Sequence, residues 1–136
     1  MSSSIIPALR YHDAPKAVEW LEQAFGFKPH LVVPSAAGGI DHAEMTLGSG
    51  MIMFGSVRDN DYDDLVTTVP RVGKPTAGLY VVLEGDVDYH AAGAEKGGAS
   101  ILIPPKDEDY GGRDYTCADF EGNVWTFGTY NPWKQA

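Results

Sequence analysis

Apolar and polar positions change period several times along this chain. Residues 5–11, Ile-Ile-Pro-Ala-Leu-Arg-Tyr, form a short apolar run that predicts a strand, followed by Asp13, a side chain suited to cap a helix. Between Ala14 and Phe25, the residues Val18, Leu21 and Phe25 recur at three- and four-residue steps, with Glu19, Glu22 and Gln23 elsewhere on the wheel. That spacing predicts an amphipathic helix, and Gly26 is placed to end it. Strand-like runs follow at 27–33, 40–47 and 51–56, the last two joined by the hairpin signal Gly48-Ser49-Gly50. Residues 57–75 hold Asp59, Asp61, Asp63, Asp64, Pro70, Gly73 and Pro75, a composition that predicts a solvated connection. The same order then begins again: a strand over 77–84, a weaker helix from a cap at Asp86 to Lys96, and strands over 100–103, 113–120 and 123–130.

Superposing the two halves at an offset of 73 residues, without a gap, pairs Asp13 with Asp86, Glu22 with Glu95, Asp41 with Asp114, Phe54 with Phe127 and Gly55 with Gly128. Helix falls on helix and hairpin on hairpin, so the chain reads as an internal duplication of βαβββ. The predicted class is α+β: two tandem βαβββ modules, 1–66 and 67–136, in one compact domain.

The chain has 136 residues, 43% hydrophobic and 21% charged, which suits one globular domain and argues against disorder. Ten Lys and Arg against 19 Asp and Glu give a net charge of -9, which repels phosphate backbones and anionic lipid, so neither nucleic acid nor membrane is an expected partner. The acidic excess is even, with four basic and nine acidic groups in residues 1–68 and six and ten in 69–136. The single cysteine, Cys117, excludes an intrachain disulfide and is compatible with a reducing compartment. The start lacks a basic segment followed by an apolar stretch, and no run approaches the roughly 18 apolar residues needed to span a bilayer. A cytoplasmic protein is expected.

Two segments carry a resemblance that covers almost the whole chain. They are Ala8-Leu-Arg-Tyr-His-Asp-Ala-Pro-Lys-Ala-Val-Glu-Trp-Leu-Glu-Gln-Ala-Phe-Gly-Phe27, and Tyr110-Gly-Gly-Arg-Asp-Tyr-Thr-Cys-Ala-Asp-Phe-Glu-Gly-Asn-Val-Trp-Thr-Phe-Gly-Thr-Tyr130. Both resemble the vicinal oxygen chelate superfamily of glyoxalases, bleomycin-resistance proteins and extradiol dioxygenases, the second segment looking like its PhnB-like and bleomycin-resistance-like branches. The resemblance implies a curved mixed sheet around a cleft, a homodimer, and, in metal-using members, His, Gln or Glu ligands on the first and last strands of each module. Carried over by position, those ligand places fall near Ile6, Met53, Leu79 and Thr126, with Pro7, Ile52, Tyr80 and Trp125 beside them. None is a usual ligand for a catalytic divalent ion, so no metal and no other cofactor is expected.

Strand alternation sorts the remaining candidates. Ala43, Met45 and Leu47 share one face, expected to meet the helix, while His42, Glu44 and Thr46 share the other, expected to face the cleft. Under the repeat, Tyr115 and Cys117 take the places of His42 and Glu44. Trp125 and Phe127 go under a helix, Val124, Thr126 and Gly128 face the cleft, and Arg10 shares the cleft face with Ala8. His42 and Glu44 could serve as a ligand-contact, acid–base or metal pair, or be a hydrogen-bonded strand face. His12 and His90 are expected on the surface, and His30 is uninformative. Trp20 and Trp125 read as core, and Trp133 as a cover for the partner half or a second subunit. Tyr110 and Tyr115, flanking Gly111, Gly112 and Arg113, are candidates for ligand contact. The aspartates of 59–64 and Asp107-Glu108-Asp109 could attract a cationic ligand or bind calcium, but they lack the calcium-loop spacing and read as solvated loops. Cys117 reads as a small buried hydrophobe.

The expected function is binding of a small organic molecule, cationic or aromatic in keeping with the net acidity, without chemistry, as metal-free resistance proteins of the superfamily sequester an antibiotic. Expected ligand contacts are Arg10, His42, Glu44, Met53, Tyr110, Arg113, Tyr115 and Thr126, with no catalytic residue assigned. One alternative is a metal-dependent lyase, isomerase or dioxygenase with displaced ligands, recruiting His42 and Glu44. Another is a structural or regulatory protein with a filled, vestigial cleft.

Overall fold

The structure is a computed structural model that describes residues 1–134. The chain forms two compact units, Met1–Val72 and Gly73–Ala136. The first runs β1 (Ala8–Tyr11), α1 (Ala14–Phe25), β2 (Lys28–Pro34), β3 (Ile40–Leu47), β4 (Gly50–Ser56) and a short α2 (Val69–Val72). Its sheet has the order β1-β4-β3-β2, with β1 parallel to β4 and the other pairs antiparallel. The second unit repeats the plan as β5 (Gly78–Val82), α3 (Val87–Lys96), β6 (Ser100–Asp107), β7 (Arg113–Ala118) and β8 (Val124–Gly128), in the order β5-β8-β7-β6, followed by a 3-10 turn at Pro132–Lys134. The α+β class and the two tandem modules are therefore as the pattern predicts. Among the described residues no helix is long and apolar enough to cross a membrane.

The two long helices, α1 and α3, start where the sequence places a cap. The Asp13 carboxylate accepts from the Lys16 N–H at 3.1 Å, and Asp86 accepts from the Tyr89 N–H at 3.0 Å, each satisfying an orphan donor of the first turn. α1 buries Ala14, Ala17, Trp20, Leu21, Ala24 and Phe25. Beneath it lies one face of the first sheet, where Tyr11, Ala43, Met45, Ile52 and Phe54 are all buried. Tyr11 meets Phe54 edge to face at 5.1 Å.

The second unit fills the same interface the other way round. α3 buries only Val87, Ala91 and Ala94, and the sheet supplies the bulk through Tyr115, Cys117, Trp125 and Phe127, none of which has any exposed surface. His90 closes the gap beside the small helix residues: its ring lies 4.4 Å from Phe127 and Nδ1 is 2.6 Å from the Tyr115 hydroxyl. The expectation that His90 is a surface residue is corrected, because a helix this thin leaves room for an imidazole against the sheet.

A second correction concerns facing. Tyr115 and Cys117 lie on the helix side of β7, opposite to their predicted orientation. In the first unit Ala43 faces Phe54 and Met45 faces Ile52, whereas in the second Tyr115 faces Phe127 and Cys117 faces Trp125. The equivalents of Tyr115 and Cys117 are thus Ala43 and Met45, not His42 and Glu44. The cause is one extra residue in the second hairpin. The ladder of β7 and β8 continues to Asp119 and Asn123, whose N–H and C=O meet at 2.9 Å, leaving Phe120, Glu121 and Gly122 as the loop where the first hairpin has Gly48 and Ser49. Gly122 has φ 95°, the left-handed residue that a three-residue hairpin loop calls for. A gapless superposition slips by one there, and one residue of slip in a strand exchanges its two faces.

That hairpin is pinned by a buried carboxylate. Asp119 Oδ1 accepts from the N–H groups of Glu121 and Asn123, both at 3.0 Å, and Oδ2 accepts from Trp125 Nε1 at 3.1 Å and Asn123 Nδ2 at 3.2 Å. Asp119→Ala strands these buried donors and is expected to lower unfolding free energy by about 3 kcal/mol, measured by urea denaturation. Cys117 is fully buried, and burial together with the Asp119 charge pushes its thiol up to about 12. A thiol-specific reagent at neutral pH should therefore label Cys117 only after unfolding, and labelling of the native protein at the denatured rate would contradict this placement.

Candidate functional site

Because each sheet is sealed by its helix on one side, available chemistry lies on the far face. On the first sheet, Ala8, Met53 and Glu44 form a row across β1, β4 and β3. Glu44 Oε2 lies 2.8 Å from Nε2 of His42, and its other oxygen 3.9 Å from Nε2 of His30. His42, Glu44 and Met53 are thus brought together, and His30 joins them from β2. On the second sheet the equivalent row is Tyr80, Thr126 and Thr116, with the two threonine hydroxyls 2.8 Å apart.

These rows bear on the metal positions of metal-using relatives. Leu79 pairs with Trp125 on the helix side, so the far-face neighbour of Thr126 is Tyr80, and the neighbour of Met53 is Ala8 rather than Ile6. A methyl, a thioether, a phenol and a hydroxyl do not make the imidazole and carboxylate set that a catalytic divalent ion needs. Among the described residues no three His, Cys, Asp or Glu side chains group so as to hold a metal ion.

The second unit carries the denser group. Asp114 projects from β7 on the same far face as Thr116 and is 8% exposed. Burial first, and then the Glu108 charge, push its carboxyl above the ordinary carboxylate range. The Tyr110 hydroxyl donates to Asp114 Oδ2 at 3.3 Å, and burial with the charges of Asp114 and Glu108 pushes that phenol up to about 12. Tyr130 meets Tyr110 edge to face at 5.1 Å, and the Tyr80 hydroxyl donates to the Tyr130 carbonyl at 2.7 Å. A Cβ on Gly128 would stand 2.7 Å from the Asp114 Cβ and 2.8 Å from the Tyr80 oxygen, so only glycine lets carboxyl and phenol approach across β8. The resident cation is Lys106, whose Nζ lies 3.2 Å from Glu108 and is itself exposed. Three phenol rings around two carboxyls form a surface that attracts a cation by charge and by the negative faces of the rings.

Of the predicted contacts, Tyr110 and Thr126 belong to this group. Tyr115 does not: it stacks on Phe127 at 5.5 Å beneath α3. Arg113 is likewise corrected. It lies on the helix side, where Nε and Nη2 reach the two oxygens of Asp88 at 2.9 and 3.0 Å and Nη1 reaches Asp107 at 3.3 Å, so its fork is committed to carboxylates. Asp114, Glu108, Tyr80 and Tyr130 were not singled out as site residues by the sequence. The available signal was the odd–even alternation of β7 itself, which places Asp114 with Thr116.

Arg10 belongs to the first unit. Its Nε donates to Asp63 Oδ1 at 2.7 Å and its guanidinium lies 4.7 Å from the centre of the Tyr62 ring. Asp63 also accepts from the Arg58 N–H. Burial works to raise the Asp63 carboxyl, but Arg58 and Arg10 outweigh it and hold the group below the ordinary range. The segment after β4, expected to be merely solvated, is thus fastened to the sheet.

Comparison with known proteins places this geometry. Among solved structures, TioX from Micromonospora sp. ML1 is 29% identical with a TM-score of 0.71, over 96% of this chain and 100% of that one. A glyoxalase-related enzyme from Fulvimarina pelagi is 17% identical with a TM-score of 0.73, over 97% and 90%. The fosfomycin resistance protein FosX from Listeria monocytogenes, solved with Mn(II), is 12% identical with a TM-score of 0.71, over 97% and 94%. At their identities the latter two share the fold alone. A comparison with curated proteins finds no match. The family model of the Glyoxalase/Bleomycin resistance protein/Dioxygenase superfamily matches residues 6–127, and the chain belongs to that superfamily.

Proposed function

We propose that this chain is a small-molecule-binding member of the superfamily that takes a cationic aromatic compound without using the superfamily's metal site. The observation that carries the reading is the group of Tyr80, Tyr110 and Tyr130 around Asp114 and Glu108. A carboxyl displaced upward by burial and by a second carboxyl gains from a neighbouring cation, since the cation relieves the repulsion that displaces it. The phenol rings, exposed at Tyr80 and Tyr110, supply flat apolar area and cation–π attraction for an aromatic body. The reading without metal is supported by Ala8, Met53, Tyr80 and Thr126 in the far-face rows. As part of the same proposal the chain works as a homodimer, in keeping with exposed Leu31, Val33, Leu102 and Ile103 on the sheet-edge strands β2 and β6.

The test is titration with a fluorescent aromatic cation such as acridine orange, followed by thermal shift. Saturable binding is expected, and a ligand at 100 times its dissociation constant should add about 2.7 kcal/mol of stability. Asp114→Asn should weaken the affinity about tenfold or more; unchanged affinity would overturn the site. One divalent ion per chain retained through dialysis, and lost from His42→Ala, would overturn the reading without metal.

The same substitution carries a stability prediction of opposite sign. Asp114 is harder to ionise folded than unfolded, so its charge costs stability at neutral pH, and the cost disappears as pH falls through the folded value and below the unfolded 3.8. Without ligand, Asp114→Asn should therefore raise Tm at pH 7, its amide oxygen still accepting from Tyr110. The advantage should vanish in scans below that unfolded value.

A further inference from the structure

The first unit holds a cavity of about 340 Å³ that the function proposed above does not use, lined by Arg10, Val57, Arg58, Asp63, Val66 and Arg71, with Asp59, Asp64 and Thr67 completing its wall. Its size lies at the lower end of the range for small-molecule sites, roughly 300–1,000 Å³. Three guanidinium groups in one small cavity are unexpected in a chain of net charge -9, and their commitments differ. Arg58 is paired with Asp41 at 3.2 Å. Arg10 spends only Nε, on Asp63, and its two terminal nitrogens make no hydrogen bond among the described residues. Arg71, on α2, has neither an ion pair nor a side-chain hydrogen bond there.

Arg10 is also built into place. Its side chain is 10% exposed, and a Cβ on Gly55 would stand 2.8 Å from its Nη1 and 2.9 Å from the Asp41 carbonyl oxygen. Glycine at that position of β4 leaves the space the guanidinium fills. Asp63 turns one edge of the fork and Tyr62 covers a face, so the terminal N–H groups are preorganised donors.

We propose that this cavity binds a small organic carboxylate, its oxygens taken by the terminal nitrogens of Arg10 and by Arg71, its apolar part against Val57 and Val66. Guanidinium donors match the paired oxygens of a carboxylate in geometry as well as charge. Both oxygens of Asp63 are already engaged, by Arg10 and by the Arg58 N–H, so it does not compete as a free anion. Asp59 and Asp64 are exposed and unpaired. Their charge penalises a polyanion more than a monoanion, which selects carboxylate over phosphate.

The test is a titration of the full chain with benzoate, benzamide and inorganic phosphate at constant ionic strength, following the arginine Nε–H signals and the amides of residues 57–72 by NMR. Benzoate should give saturable shifts, while benzamide, of the same shape without the charge, gives none and phosphate binds more weakly. Arg71→Gln, at an exposed side chain without partners, should leave Tm unchanged and weaken benzoate about tenfold. Equal shifts with benzamide, tighter binding of phosphate, no saturable binding at all, or unaltered affinity in Arg71→Gln would each overturn the proposal. Asp114 does not line this cavity, so Asp114→Asn should leave benzoate binding intact, which distinguishes failure of this proposal from failure of the cation site.

Discussion

One-sided burial governs both units. A four-stranded sheet with a single helix must hide one face and leave the other, and the hidden face sets which side chains remain for chemistry. The interface can be filled from either side. In the first unit the helix brings Trp20, Leu21 and Phe25 to a sheet position as small as Ala43, and in the second the helix brings Ala91 and Ala94 to a sheet carrying Tyr115 and Trp125. Close packing requires the total to be conserved, not the residue at each place, so a duplicated core can exchange bulk between its layers while the backbone plan persists.

The exchange explains why the plan was legible and one strand was not. Helix α1, helix α3 and strand β3 fall where periodicity and caps place them, because Asp13, Asp86 and the alternation from Ile40 to Leu47 are local signals. The face of β7 was misread since it was inferred by carrying the first half onto the second. Its own alternation of Arg113, Tyr115 and Cys117 against Asp114, Thr116 and Ala118 offers a polar and an apolar residue on each side, and arginine and tyrosine on the buried side disguise it. Partners distant in sequence hold both on that side, His90 for the buried tyrosine and Asp88 for the part-exposed arginine, which no local pattern reports. Strand β6 extends to Asp107, past the predicted end at 103, because Pro104 and Pro105 sit at the sheet edge, where missing N–H groups and a shifted register are tolerated.

Net charge was a coarse guide. It suggested a cation as ligand, whereas the same chain concentrates arginine around one cavity of the first unit. What decides local potential is which charges are already spent. Arg113 and Asp63 are each held by more than one polar contact and have little left to offer, whereas Arg71 and the terminal nitrogens of Arg10 are unspent. Counting commitments residue by residue thus separates structural ion pairs from groups available to a ligand, which the total of -9 cannot do.

The pairing of Asp114 with Glu108 sharpens this distinction. Burial and the Glu108 charge raise the cost of ionising Asp114, and Lys106, on an exposed flexible stem, offsets only part of it. A purely structural role for that corner would be better served by an amide at residue 114, which satisfies Tyr110 without repelling Glu108. Under the proposed function, retaining the charge gives an incoming cation favourable energy already stored and ties affinity to a local sacrifice of stability. The corresponding corner of the first unit shows the other solution: there Arg10 brings its own counter-charge in Asp63, which holds the segment after β4 to the sheet while the terminal nitrogens of Arg10 stay unspent.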